Sequence, residues 1–291
     1  MKQSKGKKFL GMVGLAILLP LSLSACASMH DRFSREVSGI GLPQGPAVGK
    51  PITEDSLAPL PKPVQRYLRF MGVLEKPRDW SFRANLTGRF RTGLNSGWMD
   101  IEAWQYNTRL DLARIFHMRG TMKGLPVLAR DTYVHGKGRM LAKVLDLFTV
   151  ADGQGTEYDI GELVTYLNDA ILMAPSMILG TETTWAFVDE NSFDVSLKSG
   201  ERSVKARVFL NEEGAPMNFS TTDRFCEDPY DPKHPLIRGQ WTTPMEGWQK
   251  VGGRSLPTRG KAVWQFPQGP YTYADFDIAS GSLQFNLPPG Q

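Results

Sequence analysis

Cysteine is almost missing from these 291 residues: there are two, Cys26 and Cys226. A disulfide-stapled scaffold is thereby excluded, since such folds need several bridges to replace a core. Histidine is nearly as scarce. His30, His117, His135 and His234 are the whole set, and none is paired at a metal-ligand spacing. No Gly-x-Ser-x-Gly nucleophile motif occurs. No apolar run reaches the roughly 20 residues that a spanning helix wants. The longest, residues 9–25, is short and interrupted by Pro20, which lacks a backbone donor. Catalytic residues, metal ligands and cofactor motifs are thus not announced, and neither a metal nor a cofactor is expected.

What stands at the N-terminus is more specific. Lys2, Lys5, Lys7 and Lys8 precede the apolar run with no acid among them, and the run ends Leu23-Ser24-Ala25-Cys26. A basic segment, a short apolar core and small residues before a cut describe a secretory signal. The last four residues resemble the bacterial lipobox, in which the cysteine thiol is acylated and becomes the mature N-terminus. The expectation is a signal peptide over 1–25 and a lipid on Cys26. This segment also carries the charge imbalance. The whole chain has 34 Lys and Arg against 30 Asp and Glu, so removing four lysines leaves it balanced, and net charge gives no support to nucleic-acid binding. A triacylated Cys26 would be a lasting tether, because several chains hold where one does not. The expected location is the cell envelope, on the outer membrane facing the periplasm if the cell is Gram-negative, because Ala27 rather than Asp follows the cysteine. With Cys26 acylated, Cys226 has no partner and reads as a small buried apolar residue.

Residues 26–59 are rich in Gly and Pro, as in Gly39-Ile40-Gly41-Leu42-Pro43. They read as a flexible tether of roughly 30 Å. Residues 60–291 are long enough for one domain. It opens with a helix: Pro61 and Pro63 precede Val64, Tyr67, Leu68 and Met71 on one stripe, with Gly72 to cap it. After it the apolar period becomes two. Strands are expected over 80–91, 97–106, 110–118, 127–135, 139–150, 184–188, 193–198, 204–210, 218–225, 238–251, 256–266, 271–278 and 283–286. Short turns such as Lys198-Ser199-Gly200-Glu201 and Pro267-Gln268-Gly269-Pro270 indicate an antiparallel meander. A helical insert interrupts it near 160–180, with Leu163, Leu167, Ala170 and Ala174 on one face and Glu162, Tyr166 and Asp169 on another. So many strands must curl or close. The fold class expected is mainly β (α+β): a large curved antiparallel sheet, a half-barrel, with a leading helix and a helical lid.

Several stretches resemble an uncharacterised bacterial lipoprotein family, a domain of unknown function. They are Leu60-Pro61-Lys62-Pro63-Val64-Gln65-Arg66-Tyr67-Leu68, Met122-Lys123-Gly124-Leu125-Pro126-Val127, Gly161-Glu162-Leu163-Val164-Thr165-Tyr166-Leu167-Asn168-Asp169, Ala174-Pro175-Ser176-Met177 and Leu256-Pro257-Thr258-Arg259-Gly260 with Tyr271-Thr272-Tyr273. The resemblance covers about residues 60–286 and carries no assigned reaction. The order of elements is also similar to the lipoprotein-carrier half-barrels (LolA/LolB-like). That likeness implies an apolar cavity between sheet and helices that holds acyl chains.

A cavity of this kind would draw on Trp104, Phe116, Trp185 and Trp264 from strands and on Leu167, Ile171 and Met173 from the helix. Alternation does not separate a hollow interior from a packed one, so two readings stand. One is a non-catalytic lipoprotein that binds a lipid or other apolar ligand. The other is a structural or partner-binding lipoprotein with a solid core, its protein partners unspecified. A hydrolase comes third: Glu157, Asp159, Glu162 and Asp169 cluster, but two carboxylates seven residues apart on a helix read first as a solvated face. His117 and His135 fall on strands that could be neighbours, and read as structural or exposed. The segment Glu227-Asp228-Pro229-Tyr230-Asp231-Pro232 reads as a surface loop rather than a calcium site.

Overall fold

The computed structural model describes residues 29–45 and 49–289. Cys26 and the signal segment lie outside the described residues. Among the described residues three helices come first: α1 (Met29–Gly39), α2 (Glu54–Leu57) and α3 (Lys62–Met71). The leading helix α3 forms as expected, with Pro63 in its first turn and Gly72 closing it in a left-handed conformation, φ 73°.

The sheet that follows is antiparallel throughout and fifteen-stranded. One wing holds β1 (Ser81–Phe90), β2 (Met99–Thr108), β3 (Ala113–Met122), β4 (Leu125–Val134), β5 (Lys137–Val144) and β6 (Phe148–Gln154). The long helix α4 (Thr156–Met173) and a 3-10 turn (Pro175–Ile178) intervene. The other wing holds β7 (Thr183–Asp189), β8 (Ser192–Ser199), β9 (Arg202–Leu210), β10 (Pro216–Glu227) and β11 (Leu236–Thr242). Strands β15 (Arg259–Phe266) and β16 (Gly269–Ile278) then join the wings, because β16 pairs with β1 and β15 with β11. Short pieces complete it: β12 (Met245–Glu246) and β17 (Gln284–Phe285) add to the sheet, and β13 (Gln249–Val251) with β14 (Arg254–Leu256) makes a separate ribbon. The stretches expected as single strands over 139–150, 238–251 and 256–266 are each divided. The first turns at Leu145 and Asp146, both at positive φ. The others break beside Pro244 and Pro257, which have no ladder donor.

The sheet ends in β6 and β7, which do not pair, so it is a half-barrel as expected. Its curl brings distant strands together. Tyr133 on β4 donates through its hydroxyl to Ser199 on β8 (2.8 Å), and Arg202 donates to the Gly136 carbonyl (3.1 Å). Helix α4 lies inside the curve against β3–β6 on one side and β9–β10 on the other. That is why all but a few of its residues are buried, including every one from Gly161 to Met173. Its first turn seats directly on Gly138, where a Cβ would come within 2.1 Å of the Tyr158 carbonyl. Below α4, Asp79 is fully buried and binds Arg254 through both oxygens (2.7 Å each), Ser176 (2.6 Å) and Asn286 (3.0 Å).

The expectation of a flexible tether over 26–59 needs correction in its described part. Met29, Phe33 and Val37 recur every four residues on α1 and are buried, with Leu42, against Trp104, Tyr106 and Ile115 on the convex face of β2 and β3. Glu36 accepts from His117 (2.6 Å) and from Arg130. A four-residue apolar spacing outweighs the Gly and Pro that follow it.

Candidate functional site: a cavity beside the central helix

Alternate residues of a strand share a face, and several strands turn a mostly apolar face toward α4. On β3 these are Arg114, Phe116 and Met118; on β4, Val127, Ala129 and Asp131; on β15 and β16, Trp264, Tyr273 and Phe276. Between them and α4 is a cavity of about 1000 Å³, closed on the helix side by Glu162, Thr165, Asp169, Leu172 and Met173. It reaches the surface along an edge that includes the loop 91–96 and exposed Met122, Val150 and Leu236.

The wall is apolar, while the floor against α4 is ionic. Arg114, almost wholly buried, donates to Asp169 (2.8 Å) and Glu162 (3.1 Å). Gln105 donates to Asp169 at 2.6 Å. Arg224 donates to the Gly161 carbonyl (2.9 Å) and to the Thr165 hydroxyl, and its guanidinium lies 4.3 Å over the Trp241 ring. Burial and the neighbouring Asp131 charge push the Glu162 carboxyl up to about 7, against the pull of Arg114 and Arg224. Asp131 is also raised, by burial before all else. Its Oδ1 is buried with no hydrogen-bond partner among the described residues. Cys226 lines the same cavity, its thiol pushed up to about 11 by burial. Among the described residues no group of His, Cys, Asp and Glu is arranged to hold a metal ion.

Of the residues expected to form a ligand site, Phe116, Met173 and Trp264 line this cavity. Trp104 does not; it points to the convex face beneath α1, 5.9 Å from the His30 ring. Leu167 and Ile171 are fully buried on the packed side of α4. Trp185 packs on Phe193, 5.6 Å away, beside a separate space of about 430 Å³ that also touches Ile52 and Leu179. His117 and His135 are not brought together: the first pairs with Glu36 and the second, exposed, with Asp111 (2.8 Å). Glu162 and Asp169 are not solvated, which corrects the reading of that helix face. The residues missed are Arg114, Gln105, Asp131 and Arg224. Their signal was the strand period itself, which puts Asp131 in phase with Val127 and Ala129, and Arg114 in phase with Phe116.

Residues 50–276 match the family described as "Family of unknown function (DUF6544)". The chain belongs to that family. No curated protein matches it. Among solved structures, this DUF6544 chain is similar to a LolA superfamily protein from Nitrosomonas europaea, at 14% identity and a TM-score of 0.35, over 76% of this chain and 92% of that one. It is also similar to a DUF1329 family protein from Desulfovibrio piger, at 9% identity and a TM-score of 0.37, over 72% and 87%. The cavity of this DUF6544 member is therefore read from its own residues.

Proposed function

We propose that this chain is a lipid-anchored envelope protein that holds an amphiphilic, lipid-like ligand in its half-barrel without transforming it. The observation that carries the reading is the cavity. Its volume stands at the top of the roughly 300–1,000 Å³ that ligand pockets occupy, and it has an apolar wall over a small charged floor. An apolar chain would lie along Phe116, Met118, Trp264 and Phe276, and a polar head would meet Arg114, Asp131, Glu162 and Arg224. Methionines on both wall and helix suit chains of variable shape. The thiol of Cys226 is held protonated and the Thr165 hydroxyl is engaged by Arg224, so neither is poised as a nucleophile.

The membrane side of the proposal rests on the lipobox and on where α1 docks. Cys26 stands three positions before Met29, the first described residue of α1. Arg32 of α1 pairs with Asp146 in the β5–β6 turn. Leu145, Leu147, Phe148 and Val150 around that turn are exposed, as are Met122 and Leu125 of the adjoining β3–β4 turn. A lipid on Cys26 would hold this apolar rim, with Lys123 and Lys143 beside it, near the bilayer and the cavity edge near its source of ligand.

The test uses Cys226, which becomes the sole cysteine once residues 1–26 are removed. The chain from Ala27 onward retains every described element. Native mass spectrometry should find it carrying lipid-sized adducts, and an added amphiphile should slow maleimide labelling of Cys226 severalfold. A bare mass and unchanged labelling would dispose of the binding reading. For the anchor, Cys26→Ala should leave the precursor uncut and take up no radiolabelled palmitate in cells.

A further inference from the structure

If the cavity holds an amphiphile as proposed, its floor specifies more than polarity. Arg114 is committed to Glu162 and Asp169. Arg224 gives Nη1 to Gly161 and Thr165, and its ring-facing side to Trp241. Arg130, next to Asp131 in sequence, points to the opposite face and binds Glu36. Against these two cations of the floor stand three carboxylates, from Asp131, Glu162 and Asp169; Arg91, which donates to the Thr272 carbonyl (2.6 Å), and Lys261 line the cavity as well. One of the carboxylates is unanswered. Asp131 sits in register between Phe116 on β3 and Met140 on β5, both cavity residues. Its side chain lines the cavity, and its Oδ1 has no donor among the described residues. The χ2 torsion of an aspartate is broad and two-fold, so either oxygen can be presented to the cavity. A buried acceptor without a donor is costly, and a bound donor removes that cost.

We infer that Asp131 is the headgroup-recognition residue of the cavity, and that the ligand is an amphiphile whose head carries hydrogen-bond donors and no negative charge: a hydroxyl or ammonium head rather than a free carboxylate or phosphate. This assignment rests on the ligand-binding function proposed for the chain. An anionic head would bring a further negative charge to a floor where carboxylates outnumber arginines and would leave Asp131 unanswered. A donor head completes the floor and lets the chain lie over Phe116 and Met140.

The experiment is displacement of N-phenyl-1-naphthylamine from the chain beginning at Ala27, with competitors that share a dodecyl-length tail. 1-Dodecanoylglycerol and dodecylamine should displace at apparent Kd values at least about tenfold below those of dodecanoate and dodecyl phosphate. The isosteric Asp131→Asn should erase most of that preference, and the dodecylamine advantage most of all. Equal or tighter displacement by either anion would overturn the assignment, as would an unchanged ranking in Asp131→Asn. If that variant fails to fold, the ranking on the unsubstituted chain still decides. Binding of all four competitors without discrimination refutes the headgroup role and leaves the cavity reading intact. No binding of probe or competitor refutes both.

Discussion

Glu162 is a carboxyl held near 7 by its surroundings, and that has a thermodynamic consequence. Its ordinary value is 4.5 and its folded value about 7. Between these limits the folded chain keeps a proton that the unfolded chain has released, so stability is fullest below about 4.5 and falls as pH rises through about 7. The shift corresponds to about 3 kcal/mol at most. Glu162→Gln keeps an acceptor for Arg114 and removes the titration. Urea unfolding should therefore show the variant losing much less stability between pH 5 and pH 8 than the parent, and identical slopes would contradict the assignment. Asp79 makes a contrasting case, because both its oxygens are engaged by Arg254. Asp79→Ala leaves that guanidinium, which is mostly buried, without its counter-charge, and should cost about 3–5 kcal/mol in the same assay. Residue-scale legibility was uneven for a physical reason. The polar stripe of α4 reads as solvated when the helix is considered alone, since its partners Arg114 and Gln105 stand about fifty residues and more away in sequence. Nothing local to Glu162 says that a sheet will close over it. Phe116, Met173 and Trp264 were legible because bulky apolar groups face a cavity or a core by the same alternation. Trp104 misled because α1 buries the convex face of β2 around Trp104 and Tyr106 as well, so from Ala103 to Thr108 both faces of that strand are enclosed.

At the scale of elements, strands and their turns were readable from period and punctuation, and the leading helix from its proline start and glycine stop. The attachment of α1 was hidden, since glycines and prolines after it suggest a loose segment and the partners that hold it, His117 and Arg130, lie on strands far along the chain. Those contacts make the docking pH-sensitive. Burial alone would raise the Glu36 carboxyl, but hydrogen bonds from Arg130 and His117 and their charges bring it down to about 2. A depressed carboxylate adds stability above its unfolded value of about 4.5 and loses it as pH falls through about 2. The docking of α1 should thus weaken across that acid window, visible as loss of hydrogen-exchange protection over residues 29–39 and a change in Trp104 emission. Glu36→Gln should undock α1 at neutral pH, reducing protection there roughly tenfold or more, since hydrogen bonds to charged groups are worth about 1.5–3 kcal/mol. Protection over β8 and β9, which α1 does not touch, should stay as it was. A parallel loss in both regions would mean that α1 is part of the global core rather than a docked element.

For the molecule as a whole, a curled sheet wrapped round a buried helix divides the interior into two halves of different character. One side of α4, with Leu163, Leu167 and Ile171, is packed against Tyr67, Phe193 and Val195. The other side holds the cavity. This asymmetry separates a carrier from a scaffold by a single substitution. Ala129 on β4 faces the cavity, paired in register with Ala142 on β5, which faces it too. In a filled interior, Ala129→Phe would force neighbours off their rotamers at a cost of about 1–3 kcal/mol. In an open one the ring gains contacts that the wall otherwise lacks, so the midpoint of thermal unfolding should hold or rise. The same ring would occupy the path of an apolar tail, and probe affinity should fall at least about tenfold. Stability kept with binding lost is the signature of a cavity that exists to be occupied. Stability lost while binding is unaffected would place the ligand elsewhere and return this side of α4 to the status of ordinary core.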